Sequence, residues 1–304
     1  MTSSPRLLCV GDLSLDIVIR VPRLPGHDQK VSGREVARGA GGMAANVAVG
    51  ASRLGTPARL VAVLADDDFG REALAKLANE DVDLTHLTRR QDDSTFYCVI
   101  LIDPSGEKAL VRAAGSTFLP TSAELAAEAF EGIKHIHFIH PDPGLLQRGY
   151  EIAKTADATI SLDLEATDVA DTGDHLRDLL SLLNVLFLSA ESREVLEARI
   201  GPLIGLDDLL IVTTKGGYGA EASHCGQSVS AEGYVVTVAD TLGAGDAFAA
   251  AFLHAWLEGA EWRDALVFAN AAAALSTRSH GAQAGLARPG EVADFIARKE
   301  PTLA

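Results

Sequence analysis

The chain has 304 residues, of which 47% are apolar and only 5% are aromatic. This length and composition suit one large α/β domain with helices packed on a mostly parallel sheet. The formal net charge of −16 disfavours general binding to nucleic acid or to a membrane surface, because both are themselves negatively charged. No apolar run reaches the roughly 18 residues that a membrane-spanning helix needs, so we expect neither kind of partner.

The cysteines and the first residues bear on the cellular compartment. Cys9 and Cys98 lie in apolar, strand-like runs, and Cys225 is the third cysteine. We expect buried thiols at the first two positions rather than a metal or redox centre. The first residues lead directly into a predicted strand and lack the charged-then-apolar layout of a signal peptide. These features together predict a reduced, cytoplasmic protein.

The first predicted elements present two acidic side chains. Leu7–Val10 is an apolar run that predicts a buried strand, and Asp12, Ser14 and Asp16 then alternate with apolar residues. Alternation predicts a half-exposed strand with both carboxylates on one face. There they either bind the hydroxyl groups of a sugar or form a solvated edge.

A glycine-rich turn opens the first predicted helix. The paired glycines at 41–42 allow a ligand to approach the backbone closely. The helix is expected from Ala44 to Leu54, with Gly55 as its C-cap. Asn46 falls in the first turn, where its amide either caps the helix or binds a polyol.

The following segments predict a strand, a helix and a β-hairpin. The strand is Arg59–Leu64, and Asp66–Asp68 precede a helix over residues 71–80, where we interpret the acids as N-terminal caps rather than as a metal site. Residues 94–113 contain two β-rich runs around a Pro/Gly turn, which is typical of a hairpin. Segments 13–39 and 93–114 together predict a small inserted sheet, here called the β lid.

From residue 120 onward, helices and strands are predicted to alternate. Helices are expected at 121–130, 144–155, 173–181, 192–199, 246–258, 262–278 and 290–298, strands at 135–140, 159–164, 185–188, 209–213 and 234–238, and a hairpin over 220–230.

His135, His137 and His140 lie at near-alternate positions, but no acid or cysteine stands beside them to complete a metal site. His140 ends its strand, and ligands of open α/β sheets bind at that edge.

The chemistry is predicted at residues 240–250. The Gly243-Ala244-Gly245 turn opens a helix, and the unpaired N–H groups of a helix start attract anions. Asp246 can accept a proton from a hydroxyl while these amides hold the anion that the hydroxyl attacks. This geometry suits phosphoryl transfer, although a Gly-Ala-Gly turn alone is equally compatible with a plain loop.

Two glycine signatures carry a family resemblance. Asp240–Phe248 resembles the C-terminal signature of the ribokinase-like (PfkB) sugar kinases, and Gly41–Asn46 with Arg53–Gly55 resembles their N-terminal signature. Thr214–Gly219 is similar to the nucleotide-side turn of that family. The resemblance covers residues 1–304 as a single domain. It implies a central, mostly parallel sheet with helices on both faces, a β lid that often forms a homodimer contact, and transfer of the ATP γ-phosphoryl group to a hydroxyl of a small carbohydrate.

The resemblance also implies roles for individual residues. Asp246 matches the catalytic base, and the amides of Gly243, Ala244 and Gly245 match the anion hole. The other candidates are Asp12, Asp16, Gly42, Met43, Asn46, His140 and Arg112 on the sugar side, Thr214, Gly216, Gly219, Asn270 and Ala273 on the ATP side, and Asp240, Leu242, Thr277, His280 and Ala282, mostly through carbonyl oxygens, at a monovalent-cation (K⁺) site that many members have.

The two metal positions depart from the family pattern. Members often carry an Asn-x-x-Glu segment that organises Mg²⁺ and phosphate, but residues 189–192 read Ser-Ala-Glu-Ser here. Glu191, Glu194 or water is expected to hold Mg²⁺ instead. Gly285 lacks the hydroxyl group that some cation sites of the family use.

The sugar side leaves the acceptor open. Met43 stands where ribokinases carry a lysine, and His140 stands near the position of a sugar-binding glutamate. A nucleoside would use Phe96 or Tyr97 as an apolar slot, although only one of two consecutive strand residues can face inward. A keto-sugar or sugar acid would use a positive group on the β lid, for which Arg34, Arg38 and Arg112 are the candidates. A sugar- or nucleotide-binding protein without catalysis is the remaining alternative.

Overall fold

The computed structural model describes residues 6–172, 175–203, 206 and 208–298. Its strands are β1 (Leu7–Val10), β2 (Ser14–Arg20), β3 (Arg34–Gly41), β4 (Ala58–Val61), β5 (Val63–Ala65), β6 (Val82–Asp83), β7 (Thr88–Arg90), β8 (Tyr97–Ile102), β9 (Lys108–Ala113), β10 (His135–Phe138), β11 (Thr159–Leu164), β12 (Val185–Ser189), β13 (Leu210–Thr214), β14 (Ala220–His224) and β15 (Gln227–Ala231). Its helices are α1 (Met43–Leu54), α2 (Asp68–Leu77), α3 (Pro143–Ala156), α4 (Ala166–Asp171), α5 (Leu176–Leu180), α6 (Ala190–Ile200), α7 (Ala244–Leu257), α8 (Trp262–Ser276) and α9 (Pro289–Arg298).

A large sheet forms the centre of the molecule. Its strand order is β15-β14-β13-β12-β11-β10-β1-β4-β6. The strands from β13 to β6 pair in parallel, and the β14–β15 hairpin is antiparallel, as predicted for residues 220–230. Because the parallel strands point the same way, their carboxyl ends meet along one edge of the sheet.

Helices cover both faces of this sheet. Leu7 and Cys9 of β1 pack into one apolar core with residues of α1, α7 and α8. Leu8 and Val10 pack into a second core with residues of α3 and α5. Since successive side chains of a strand point to opposite faces, the two cores lie on the two sides of the sheet, which confirms the predicted architecture. None of the described helices is long and apolar enough to cross a membrane.

The predicted β lid is a separate sheet with the order β3-β2-β8-β9. Its β8–β9 hairpin is antiparallel, as predicted, whereas β2 pairs in parallel with β8 and antiparallel with β3. Val18, Phe96 and Ile100 form a small apolar core on one face of the β lid. Because β2 follows β1 after a short turn, the β lid lies next to the carboxyl edge of the large sheet.

Several local predictions are confirmed by hydrogen bonds and burial. Asp67 caps α2 by accepting a hydrogen bond from the Gly70 amide at 2.8 Å, as we predicted for this group of acids. Gly55 is the C-cap of α1. Cys9 and Cys98 are buried free thiols, and Cys225 is exposed.

Two predicted elements are wrong. The helix expected at 121–130 is only a 3-10 turn at Ala127–Phe130, and Glu124 in the segment before it bonds to Thr121 and to Arg90. Residues 234–238 are not a strand, and Val235 and Val238 are 67% and 54% exposed. Apolar β-branched residues favour a strand only where a neighbouring strand supplies partners.

Two further predictions need different boundaries. The strand expected at 59–64 is split into β4 and β5, because β4 pairs with β1 whereas β5 pairs with β7. The helix expected at 173–181 begins outside the described residues and is described as α5 from Leu176. The other predicted elements are confirmed to within a few residues.

Candidate active site

Helix α7 begins at a cleft on the carboxyl edge of the large sheet. The cleft has a volume of about 800 Å³ and is lined by residues of both sheets. Gly243 is the N-cap of α7, in the left-handed conformation with φ 73°. The Ala244 amide makes a long hydrogen bond of 3.3 Å to the Thr241 carbonyl. The first N–H groups of a helix lack intrahelical acceptors, so this end can hold an anion in the cleft.

The structure brings most of the predicted site residues to this cleft. Those that line it are Asp12, Asp16, Gly42, Met43, Asn46, Arg112, Glu191, Thr214, Leu242, Gly243, Ala244, Gly245, Asp246 and Ala282. The predicted residues outside its lining are His140, Gly216, Gly219, Asp240, Asn270, Ala273, Thr277 and His280.

Two amide side chains in series hold Asp246. The Asn46 amide donates a hydrogen bond of 2.7 Å from Nδ2 to Asp246 Oδ2. Gln283 Nε2 in turn donates to Asn46 Oδ1 at 3.0 Å. Neither role predicted for Asn46, a helix cap or a polyol ligand, included this contact. Its amide fixes the orientation of the Asp246 carboxylate.

The environment of Asp246 makes it a stronger base than an ordinary aspartate. Burial raises its pKa well above the ordinary range, and the hydrogen bond from Asn46 opposes this increase. The negative charges of Asp163, Asp12 and Glu165 raise the pKa further. A carboxylate with a raised pKa binds a proton more readily, which suits proton transfer from a hydroxyl.

The paired glycines make room for two aspartates. Gly42 has φ 95°, and a Cβ atom there would lie 2.7 Å from the carbonyl oxygen of Asp12. A Cβ atom at Gly41 would fall inside the Asp16 carboxyl group. The glycines were predicted to let a ligand approach the backbone closely. In the structure, the Asp16 carboxyl group and the Asp12 backbone make this close approach instead.

Asp12 and Asp16 are buried in the wall of the cleft rather than on a solvated edge. They are 5% and 8% exposed. Asp12 Oδ1 accepts a hydrogen bond from the Ala44 amide at 3.1 Å, and Asp16 Oδ1 accepts one from Ser14 Oγ at 2.8 Å. Burial raises the pKa of Asp12 to about 7 and that of Asp16 to about 6. The remaining lone pairs can accept hydrogen bonds from hydroxyl groups.

Two acidic residues outside the predicted set also line the cleft. Asp163 belongs to β11, and Glu165 follows it at the carboxyl end of that strand. Burial, reinforced by the charges of Glu165 and Asp168, raises the pKa of Asp163 to about 7. The strand-end rule that singled out His140 applies to β11 as well and would have found both residues.

Comparison with known protein families shows which family this chain belongs to. Residues 4–288 match the model of the pfkB family carbohydrate kinases. The chain belongs to this family. It is an ATP-dependent phosphotransferase that acts on a sugar hydroxyl, as the signatures predicted.

Individual relatives match this kinase along nearly its whole length. It is 30% identical over 285 residues to the ATP-dependent ribose-1-phosphate kinase of Halopiger xanaduensis, across 91% of this chain and 94% of that protein. It is 26% identical to the ribokinase of Haemophilus influenzae, across 95% of this chain and 98% of that protein. The fold matches a crystal structure of a putative ribokinase II from E. coli in complex with ATP and Mg²⁺, with a TM-score of 0.84, 20% identity and coverage of 97% and 100%. The predicted ribokinase-like fold is thus confirmed.

Some predicted residues of the kinase have contacts outside the cleft. The His140 ring packs edge-on against Phe118 at a centroid distance of 5.7 Å, and its Nε2 atom lies 3.6 Å from Asp168 Oδ1. Asn270 donates hydrogen bonds of 3.0 and 3.1 Å to the carbonyl oxygens of Ala231 and Glu232. The amide of Asn270 therefore ties α8 to the end of β15.

The carboxylate side chains at the cleft of the kinase are suitable ligands for a Mg²⁺ ion that is bound to ATP. Ser189 caps α6 by accepting a hydrogen bond of 2.9 Å from the Ser192 amide, and Glu191 lies in the first turn of α6, at the cleft. Among the described residues, no group of three metal-binding side chains forms a site by itself. Mg²⁺ in phosphotransferases typically takes one or two carboxylates together with phosphate oxygens and water, and Glu191, Asp163 and Glu165 supply such carboxylates.

Proposed function

We propose that Asp246 is the general base with which this kinase phosphorylates a hydroxyl of a small carbohydrate, and that the amides of Gly243, Ala244 and Gly245 form the anion hole. The position of Asp246 supports this role: a buried carboxylate in the first turn of α7, oriented by Asn46, at a cleft that also contains the carboxylates of Asp12 and Asp16. A base and an anion site thus lie on the same helix end.

In the proposed reaction, the acceptor hydroxyl lies between Asp246 and the γ-phosphate of ATP. The hydroxyl oxygen forms a bond to phosphorus, the bond from phosphorus to the β–γ bridging oxygen breaks, and ADP leaves. Asp246 takes the hydroxyl proton, and the N-terminus of α7 stabilises the negative charge on the transferred group. Mg²⁺ bound with ATP would neutralise phosphate charge, and Glu191 would help to hold the ion, directly or through water. The β lid covers the cleft and excludes water, which otherwise competes as the acceptor.

The remaining residues divide between the two substrates. Asp12 and Asp16 accept hydrogen bonds from sugar hydroxyls, beside Gly42 and Met43. Arg112 of the β lid faces the same cleft, and its guanidinium group and the His140 ring both contact Phe118. Thr214, with Gly216 and Gly219 in the turn that follows β13, forms the ATP side, which Asn270 and Ala273 of α8 support from outside the cleft.

We also propose that the kinase is a homodimer that associates through the outer face of the β lid. Ile17, Val99 and Val111 lie side by side across three neighbouring strands, and Val111 is 60% exposed. Exposed apolar patches of this kind are typical of protein–protein contacts. The need for ATP and the buried thiols of Cys9 and Cys98 support a cytoplasmic location.

The assignment of Asp246 is tested with Asp246→Asn and a matched control. Asp264 is an exposed aspartate in the first turn of α8, so Asp264→Asn makes the same chemical change at an equivalent helix position. ADP formation is measured with a saturating sugar. We expect Asp246→Asn to lower kcat by roughly 10²- to 10⁴-fold and Asp264→Asn to leave it unchanged. Near-native turnover of Asp246→Asn would show that another group is the base.

The acceptor class is tested with a panel of pentoses, hexoses, sugar acids, sugar phosphates and nucleosides. Phe96 lines the cleft and Tyr97 does not, which keeps a nucleoside as the second candidate. We expect neutral sugars to be preferred over anionic ones, because Arg112 is the only cationic side chain among the described residues that line this carboxylate-rich cleft. Tight binding of sugar and ATP without ADP formation would instead favour the binding-only alternative.

A further inference from the structure

Two of the five residues predicted as ligands of a monovalent cation, Asp240 and Thr277, are already engaged by other donors. The Asp240 side chain is 1% exposed. Its carboxylate accepts hydrogen bonds from the amides of Leu242 at 2.9 Å and Gly281 at 3.0 Å. The third donor is Lys108 of the β lid, whose Nζ atom lies 3.2 Å from Asp240 Oδ1. An ammonium group therefore lies where a cation would bind the carboxylate.

A second predicted ligand of the cation is also engaged. The carbonyl oxygen of Thr277 accepts hydrogen bonds from the amides of Ala239 at 2.8 Å and Asp240 at 3.1 Å. A carbonyl oxygen has two lone pairs, so this oxygen has none left for K⁺. Gly285 has no hydroxyl and packs against the backbone of Ser276, so it does not replace the lost ligand.

The charge of Asp240 requires a cation, and Lys108 provides one. Burial alone would raise the pKa of Asp240, but the hydrogen bonds from Gly281 and Leu242 and the charge of Lys108 hold it below its ordinary value. A buried carboxylate that stays ionised is stabilised by a partner of opposite charge. Lys108 Nζ also donates to Thr241 Oγ1 at 2.7 Å, so it contacts two consecutive residues of the turn that leads to the anion hole.

We propose that the ammonium group of Lys108 replaces a monovalent cation on Asp240 and thereby couples closure of the β lid to the shape of the anion hole. Lys108 begins β9, whereas residues 240–242 lead directly into Gly243. An opening movement of the β lid would carry this positive charge away from the turn. Lys108 is a positioning residue, because it acts through Asp240 and not on the substrates. The inference rests on the proposed kinase mechanism.

The first test uses the unmodified enzyme. ADP formation and the thermal unfolding midpoint are measured in KCl and in choline chloride at equal ionic strength. We expect both quantities to be the same in the two salts. Activation by K⁺ of about fivefold or more, or a Tm that rises in K⁺ alone because K⁺ binds the native state, would overturn the proposal. An enzyme without kinase activity in either salt would refute the proposed function instead.

The second test uses Lys108→Met, with Lys30→Met as the control. Lys30 is an exposed lysine in the loop between β2 and β3. We expect Lys108→Met to lower kcat/KM by about tenfold or more, because a buried charge loses its partner, and we expect K⁺ or ammonium to restore part of the loss. Lys108→Arg should retain most of the activity without added K⁺. A Lys108→Met enzyme that matches Lys30→Met, or a loss that neither cation restores, would contradict the proposal.

Discussion

Asn46 is the residue that joins the two glycine signatures into one site. It lies in α1, donates to Asp246 of α7 at 2.7 Å and accepts a hydrogen bond from Gln283 at 3.0 Å. The hydrogen bond to Asp246 lowers the pKa of a carboxylate that burial otherwise raises. Asn46 thus controls both the direction and the basicity of the proposed base.

Replacement of Asn46 is expected to shift the pH dependence of the kinase. Asn46→Ala removes a hydrogen bond that favours the ionised form, so the pKa of Asp246 rises further. Because the base must be ionised to accept a proton, the acidic limb of kcat/KM against pH moves to higher pH. Gln283→Ala removes only the outer link and should shift the limb less, in the same direction. An unchanged limb, or one that moves to lower pH, would contradict the role of Asn46.

The raised pKa of Asp246 also affects the stability of the protein. The folded state holds this proton more tightly than the unfolded state, so the free energy of unfolding falls as pH rises through the range between the two pKa values. Asp246→Asn removes the buried charge and should be more stable than wild type at neutral pH, but not at a pH below the ordinary range of aspartate. Urea unfolding at several pH values measures this difference, with Asp264→Asn as the control. Lower stability of Asp246→Asn at neutral pH would be the contrary result.

Individual site residues differ in how far the sequence could predict them. The helix start at Gly243 was predictable because a glycine-rich turn precedes an apolar run, whereas the role proposed for Asp246 also depended on the resemblance of residues 240–248 to a family signature. Asp163 was predictable in principle from its place at a strand end. The contact of Lys108 with Asp240 was not, because it depends on how the β lid folds onto a distant turn.

At the scale of elements, strands β2 and β3 create the pocket for Asp16. Ser14 pairs with Gly41 and Asp16 pairs with Gly39 in this antiparallel ladder. The Asp16 carboxyl group occupies the space that a side chain at Gly41 would fill, whereas nothing lies within 4 Å of a Cβ atom at Gly39. The same substitution at Gly41 and at Gly39 of β3 therefore compares a crowded position with an open one.

Gly41→Ala is expected to damage both stability and acceptor binding. The added methyl group must displace Asp16, and overpacking of this kind costs about 1–3 kcal/mol. Since Asp16 is a proposed sugar ligand, KM for the acceptor should rise as well. Gly39→Ala should leave both quantities unchanged. Chemical unfolding and initial-rate kinetics provide the measurements. Equal stability and equal KM of the two variants would show that the Asp16 side chain moves aside without loss of stability or acceptor binding.

Elements with a strong internal pattern were predictable, and elements that depend on distant partners were not. The strands β11 and β12 and the helices α3 and α8 have clear apolar periodicity, and each was placed to within a few residues. The segments 121–130 and 234–238 have favourable local composition, but Glu124 of the first bonds to the distant Arg90, and the second has no neighbouring strand among the described residues. Local propensity is a weak guide where tertiary contacts decide.

At the scale of the whole molecule, the proposed homodimer is open to direct measurement. Val111→Asp places a charge on the outer face of the β lid, and Val195→Asp makes the same change at a 36% exposed valine of α6. We expect wild type and Val195→Asp to be dimers and Val111→Asp to be a monomer in size-exclusion chromatography with light scattering. A monomeric wild type at micromolar concentration, or a dimeric Val111→Asp, would rule out this interface.

The contact between α1 and α7 joins residues that the ribosome adds to the chain at widely separated times. Asn46 and Asp246 are 200 positions apart, and Gly50 packs against Ala250 where the two helices meet. During synthesis, the proposed acceptor ligands Asp12, Asp16 and Arg112 emerge before the proposed base and anion hole. The last third of the chain supplies both together. A chain that ends before Gly243 lacks both the proposed base and the proposed anion hole, so phosphoryl transfer by the proposed mechanism requires most of the chain to be translated.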